Sequence, residues 1–175
     1  MDTATVPRIE RDDLVFRSAS SDDAQDYADE IGTDSRDTFE ARLSDNTQCY
    51  LVLGGDRIVH SSWVTTDAAR TRELRAFVRP PDGAAYVYES FTVPDARGKG
   101  IYPFALTNIC ADLARAEISH LWVGVESDNQ PSLRAVMKAG FEERLRVSYR
   151  RRFWKLSFAP IESGEDLPRI TAKPA

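Results

Sequence analysis

Residues 86–102 read YVYESFTVPDARGKGIY, and this stretch decides the fold. Ala85 to Val93 is dense in aromatic and β-branched residues, the composition of a strand on a pleated, half-buried surface. Pro94 has no N–H for a ladder and ends it. Asp95 to Gly100 is then a tight loop. Tyr102 to Glu117 follows as a helix, with Tyr102, Leu106, Ile109 and Leu113 on one apolar stripe. In the loop, Gly98 and Gly100 permit a backbone φ above zero and leave no side chain between the amides and a ligand. Unpaired N–H groups at a helix start attract anions, and Arg97 and Lys99 add two positive charges. In physical terms the unit is a cradle for a pyrophosphate. It is neither a Walker loop, which needs Gly-Lys-Ser/Thr, nor the Gly-x-Gly-x-x-Gly dinucleotide fingerprint. Taken alone, Arg-Gly-Lys-Gly is as readily a basic turn.

Outward from this unit, strands and helices interleave. Leu121 to Val125 is short and almost wholly apolar, the pattern of a central buried strand. Asn129 and Pro131 open a helix that Gly140 closes. From Phe141 the pattern alternates, Leu145, Val147 and Tyr149 against Arg144, Arg146 and Arg150, and a strand over about Arg152 to Phe158 completes a hairpin-like end. Residues 159–175 carry three Pro and no periodicity, so they read as a flexible tail behind one domain, 1–158. Upstream, Asp13 to Ala19 is a first strand. Ser20 or Ser21 caps a helix over Asp22 to Ile31, stopped by Gly32, and Asp37 opens another over Thr38 to Leu43. Gln48 to Leu53 and Arg57 to Thr66 form a hairpin about Gly54-Gly55-Asp56. Asp67 to Arg79 is ambiguous between loop and short strand, and Pro80-Pro81-Asp82-Gly83 is a turn. Interleaving without strict βα alternation predicts an α/β (α+β mixed) domain, its central mixed sheet flanked by helices.

The chain of 175 residues is 42% hydrophobic and 29% charged, enough apolar surface to exclude a disordered or collagen-like protein. No stretch approaches the ~20 apolar residues of a membrane span, and the start has no basic region before an apolar core. Cytoplasmic residence is the expectation. Two Cys and two well-separated His fit neither a disulfide framework nor a metal site. The net charge of −5 argues against nucleic acid as the main partner. Charge is uneven: residues 1–40 hold twelve acids and four Arg, whereas 141–158 hold two acids and six bases. Solvated helix faces and a charge-guarded strand edge account for both. Acidic helix faces would equally suit a cationic partner, and Arg150-Arg151-Arg152 a phosphate, a nucleic acid or a dimer partner.

The stretch from about Tyr86 to Phe141 resembles the GCN5-related N-acetyltransferases, through ESFTVPDARGKGI, a helix, and then HLWVGVESDNQPSLRAVMKAGF. The resemblance implies a mostly antiparallel sheet and an enzyme that moves an acetyl group from acetyl-CoA to an amine, on a small molecule or a protein. The family's Arg-x-x-Gly-x-Gly/Ala loop, which takes the CoA pyrophosphate on backbone amides, falls on Arg97, Gly98, Lys99, Gly100, Ile101 and Tyr102. Its fourth strand, which pairs with the pantetheine arm, falls on Phe91, Thr92 and Val93. Its Asn after strand five falls on Asn129, and its closing Lys-x-Gly-Phe on Lys138, Gly140 and Phe141. Members commonly dimerise. Two positions depart: Tyr102 stands where Gly or Ala is usual, so its ring points away from the phosphates or reshapes the pocket. Val136 stands where a Tyr often protonates the leaving thiolate.

Acyl transfer needs a deprotonated amine, a polarised carbonyl and the two held together. Glu89 is the candidate base, because along the strand it shares a face with Val87, Phe91 and Val93, where burial favours a neutral carboxyl. The alternative is a structural carboxylate paired with Arg75 or Arg79. Ser132 is the candidate donor to the leaving sulfur, against a plain helix cap. His60, Trp63 and Tyr50 either face the acceptor or belong to the core, and Cys110 reads as core. Alternatives to acetyl transfer are a longer acyl-CoA or acyl carrier protein as donor, a non-catalytic CoA-binding module, and an unrelated anion-binding protein.

Overall fold

The computed structural model of the chain describes residues 1–71, 74–152, 155–158 and 166–171. Its first strand and two short helices are Val15–Ser18 (β1), Ala24–Glu30 (α1) and Arg36–Arg42 (α2). Thr47–Gly54 (β2), Arg57–Thr65 (β3), Ala69–Arg70 (β4), Phe77–Arg79 (β5) and Ala84–Thr92 (β6) follow. Then come Ile101–Arg115 (α3), His120–Val123 (β7), Gln130–Lys138 (α4), Tyr149–Arg152 (β8), Lys155–Phe158 (β9) and Arg169–Thr171 (β10). The main sheet runs β1-β2-β3-β6-β7, antiparallel throughout except for the parallel pair β6 and β7. That is the mixed, mostly antiparallel sheet flanked by helices. No helix among the described residues is long and apolar enough to cross a membrane.

Two clusters of side chains hold the layers. On one, Tyr27 of α1, Phe39 of α2 and Trp63 of β3 are fully buried, with ring centroids 4.4 to 6.3 Å apart in tilted and edge-on contacts. The Trp63 indole N–H donates to the Tyr27 hydroxyl at 3.0 Å, so each ring buries its polar handle paired. This cluster seats both short helices on the sheet. In the other cluster Leu106, Ile109, Cys110 and Leu113 of α3 meet Val87, Leu121, Val136 and Phe141. The predicted stripe is the buried one, with Tyr102 only partly covered.

Three expectations change. The apolar β7 is not central: it is the last strand of the sheet among the described residues. Its outer side is bridged by the N-terminal residues, through Thr3 N–H to the Ser119 carbonyl and Leu121 N–H to the Met1 carbonyl, each 2.9 Å. Its apolar face is covered by α3 and α4 rather than by a further strand. Residues 141–148 alternate in sequence but form no strand, and β8 pairs with β9 as a separate hairpin. Most of the expected tail, 159–165 and 172–175, lies outside the described residues. Within it β10 pairs antiparallel with β5, so that segment is held by a ladder.

Gly124 lies just past the last residue of β7. A Cβ built there would lie 2.9 Å from the Tyr86 hydroxyl, inside van der Waals contact, and Tyr86 is buried against Tyr88. Gly124→Ala is therefore expected to cost about 1–3 kcal/mol by overpacking. Thermal unfolding checks this: an unchanged melting temperature would mean that the Tyr86 ring moves aside freely.

Candidate active site

The site begins with a fault in β6. Ser61 pairs with Phe91 and Trp63 with Tyr88, so Glu89 and Ser90 together oppose Ser62. This is a β-bulge, and Glu89 takes the left-handed conformation at φ 49°. The bulge corrects the expected alternation: the face that carries Val87 does not continue through Glu89 to Phe91 and Val93. β6 pairs with β7 only from Ala84 to Val87. β7 itself ends at Val123, so Tyr88 to Thr92 have no β7 residue opposite. Thr92 and Phe91 are partly buried and Val93 is in the core.

The cradle lies at the far end of β6. A 3-10 turn, Pro94–Ala96, leads to Gly98 at φ 75° and Gly100 at φ 74°, and Gly100 is the N-cap of α3. Both glycines hold a conformation that other residues adopt at a cost, and a Cβ on either would meet nothing within 4 Å. The loop thus opens outward. The Phe104 N–H closes on the Gly100 carbonyl, leaving the Ile101 and Tyr102 amides at the helix start without intrahelical partners; Pro103 has none to offer. Arg97, Gly98 and Lys99 are exposed. The Arg97 guanidinium lies over the Phe91 ring, 5.5 Å from its centroid, and its Nε donates to the Thr92 carbonyl at 3.0 Å. Arg11 holds the loop from outside by donating to the Lys99 carbonyl at 2.6 Å. The expected cofactor residues from Phe91 to Tyr102 thus lie on one strand–loop–helix unit, with the Val93 side chain in the core.

Glu89 is paired, but with neither Arg75 nor Arg79. Its carboxylate meets Arg42 at 2.8 Å, while Arg79 pairs with Asp67. Arg42, the last residue of α2, also pairs with Asp34, and its guanidinium stacks 3.9 Å from the Trp63 ring centroid. Burial works against this charge, yet Tyr88, Glu89 and Asp34 together hold the guanidinium above its ordinary pKa. Glu89 accordingly faces a cation and not an apolar wall. No local sequence signal links Arg42 to Glu89; the contact depends on how α2 seats on the sheet.

A second group lies on the other side of the bulge. The Nδ1 of fully buried His60 is 2.7 Å from the Thr92 hydroxyl and its Nε2 is 2.9 Å from that of Ser62. Ser62 in turn is 2.8 Å from Ser90 Oγ. Burial pushes the imidazole down to about 3, so it is neutral. The Tyr102 ring lies 5.4 Å from the His60 ring, tilted by 33°. The signal in sequence was three polar residues in a row, His60-Ser61-Ser62, inside an otherwise apolar strand.

Asn129 is the N-cap of α4, its side chain accepting from the Ser132 N–H at 3.2 Å. Ser132 is thus the capped residue, not the cap. Val136 is core, and Gly140 at φ 92° ends α4 with Phe141 N–H returning to the Val136 carbonyl. Cys110 is buried and its thiol is pushed up to about 12, as a core residue's would be. Tyr50 is also core, its hydroxyl donating to Asp112 at 2.7 Å. Much of the acidic N-terminal third has structural employment. Asp13, Asp23, Asp34 and Glu40 pair with Arg11, Arg17, Arg42 and Arg36, and Glu30 accepts from the Ile58 N–H.

No family model matches this chain, and no curated protein matches its sequence. Solved structures do match. An aminoglycoside acetyltransferase from an uncultured soil metagenomic sample, in complex with sisomicin, aligns with TM-score 0.61 and 12% identity over 80% of this chain and 97% of its own. The aminoglycoside antibiotic 6'-N-acetyltransferase of Acinetobacter baumannii gives 0.58 and 14% over 79% and 97%. The ribosomal-protein-S18-alanine N-acetyltransferase of Escherichia coli gives 0.57 and 15% over 88% and 98%. At these identities the likeness is one of fold.

Proposed function

We propose that this chain, which has the fold of the GCN5-related N-acetyltransferases, moves an acetyl group from acetyl-CoA to an amine acceptor. The observation that carries the reading is the junction of the outward-open glycine loop at the head of α3 with the bulged end of β6, which runs on past the last residue of β7. These residues fit the group. The amides from Gly98 to Tyr102, with Arg97 and Lys99, would hold the pyrophosphate, and Phe91, Thr92 and Val93 would flank the pantetheine arm, with Asn129 and Ser132 of α4 beside it. Acetyl-CoA supplies the acyl group as an activated thioester. The acyltransferase unit would span residues 1–158, with the β10 segment laddered onto it through β5. Two buried free thiols, Cys49 and Cys110, fit a cytoplasmic setting.

In this reading Glu89 takes the acceptor's proton. An alkylamine of pKa ~10 is almost wholly charged at neutral pH, so a base at the bulge raises the fraction able to attack. Arg42 fixes that carboxylate in place and keeps the left-handed bulge residue from relaxing. Sisomicin and an alanine peptide are the first acceptors to try, since one fold neighbour is an aminoglycoside acetyltransferase in complex with sisomicin and another a ribosomal-protein-S18-alanine N-acetyltransferase. Glu89→Gln is expected to lower acetyl-CoA-dependent thiol release about a hundredfold while acetyl-CoA affinity stays within about threefold of the parent. Undiminished release by the variant would remove Glu89 from the chemistry.

A further inference from the structure

Residues 3–11 run as a strap along α3, from beyond its C-terminal end back to the glycine loop. The Thr3 hydroxyl donates to the Ile118 carbonyl, just past the helix. Midway, the Ile9 N–H donates to the Thr107 hydroxyl, and the Asn108 side-chain amide donates to the Ile9 carbonyl, each at 3.2 Å. Arg8 Nε donates to the Asn108 side-chain oxygen. Thr107 and Asn108 are buried polar residues of α3, and the strap gives them partners from outside the helix. Val6 and Ile9 pack on the two apolar clusters. The strap ends at Arg11, whose Nη1 donates to the Lys99 carbonyl at 2.6 Å. Asp13 grips the guanidinium from its other side, accepting from Nε at 2.9 Å and from Nη2 at 2.5 Å. A planar fork held at two points leaves its third donor little freedom of aim.

The Lys99–Gly100 peptide is trans, so its C=O and N–H lie in one plane and point opposite ways. Fixing the Lys99 carbonyl toward Arg11 therefore turns the Gly100 N–H to the other side. Among the described residues nothing accepts from that N–H. Gly100 has no Cβ to oppose a flip of this peptide, so an outside anchor is what selects one orientation. We propose that Arg11 is a positioning residue for the cofactor: it holds the Lys99–Gly100 peptide so that the Gly100 N–H is presented to the CoA pyrophosphate. The inference rests on the acyl-CoA reading above. Arg11 touches no cofactor atom in this role, and its charge is paired with Asp13. The strap thereby belongs to the cofactor site, although no local spacing connects residue 11 to residue 100.

Arg11→Met removes the anchor from an ion pair at the surface, so its melting curve is expected within a few degrees of the parent's. When isotope-labelled parent is titrated with acetyl-CoA, the Gly100 amide proton is expected to move downfield as it donates to a phosphate oxygen. In Arg11→Met that shift is expected to shrink, and acetyl-CoA to bind about tenfold more weakly than to the parent. The tenfold ratio is expected to persist in about 0.5 M sodium chloride, where a remote charge is screened and an orientation is not. S-acetylpantetheine, which has no pyrophosphate, is expected to bind the two proteins within about twofold of each other. A Gly100 amide that stays in place while acetyl-CoA binds the parent overturns the proposal. A ratio abolished by salt does so too, making Arg11 a plain counter-charge. An equal loss with S-acetylpantetheine overturns it as well, making Arg11 a general support of the fold. A parent that takes up no acetyl-CoA strikes the underlying reading instead, and this inference falls with it.

Discussion

Arg42→Met is expected to destabilise the protein by about 3–5 kcal/mol, the cost of removing a largely buried cation that two carboxylates share. The Asp34 and Glu89 side chains are only 7% and 13% exposed, and the guanidinium between them is 20% exposed. Met retains much of the packing over Trp63, so the loss reports on charge more than on volume. For a chain of this size that corresponds to roughly 10 °C or more in melting temperature. Adding Glu89→Gln to Arg42→Met removes one of the two carboxylates that Arg42 meets, and the double variant is expected to recover part of the loss. Melting curves of the parent, both single variants and the double variant close this cycle. Strict additivity would show that Arg42 and Glu89 are not coupled, and the anchoring of the bulge would need another cause.

This cluster marks the boundary of what the sequence discloses. The ends of β6 and α3 were legible because their causes are local: Pro94 stops a ladder, and Gly98 and Gly100 supply the positive φ the turn needs. The capped and glycine-closed helix α4 was legible for the same reason. The bulge was not, since Glu89-Ser90 carries no turn residue and the period-two pattern reads straight through it. Glu89 was picked out as an acid in an apolar strand, yet its partner comes from α2, placed by the Tyr27–Phe39–Trp63 cluster. Apolar β7 read as central because burial by helices and burial by strands leave the same composition. Tyr102 stood out as the one bulky residue of the glycine loop, but its ring neighbour His60 lies on another element. Alternation over 141–148 offered a strand pattern without a sheet edge to receive it.

The second large effect belongs to the cradle. Gly98→Asp/Gly100→Asp puts two carboxylates on the backbone that would face a pyrophosphate and places two side chains in a left-handed conformation. Neither Cβ clashes, because nothing lies within 4 Å of either position, so the fold is expected to survive and the anion site to fail. The loss in acetyl-CoA affinity is expected to be at least about a hundredfold, roughly 3 kcal/mol. A melting curve within a few degrees of the parent separates that loss from unfolding.

The central claim is that this glycine loop binds an acyl-CoA, and calorimetric titration of the folded parent and the double variant with acetyl-CoA tests it most directly. The account predicts saturable binding by the parent at one site per chain and none measurable in the double variant. Absence of binding by the parent, or equal binding by both proteins, would contradict it.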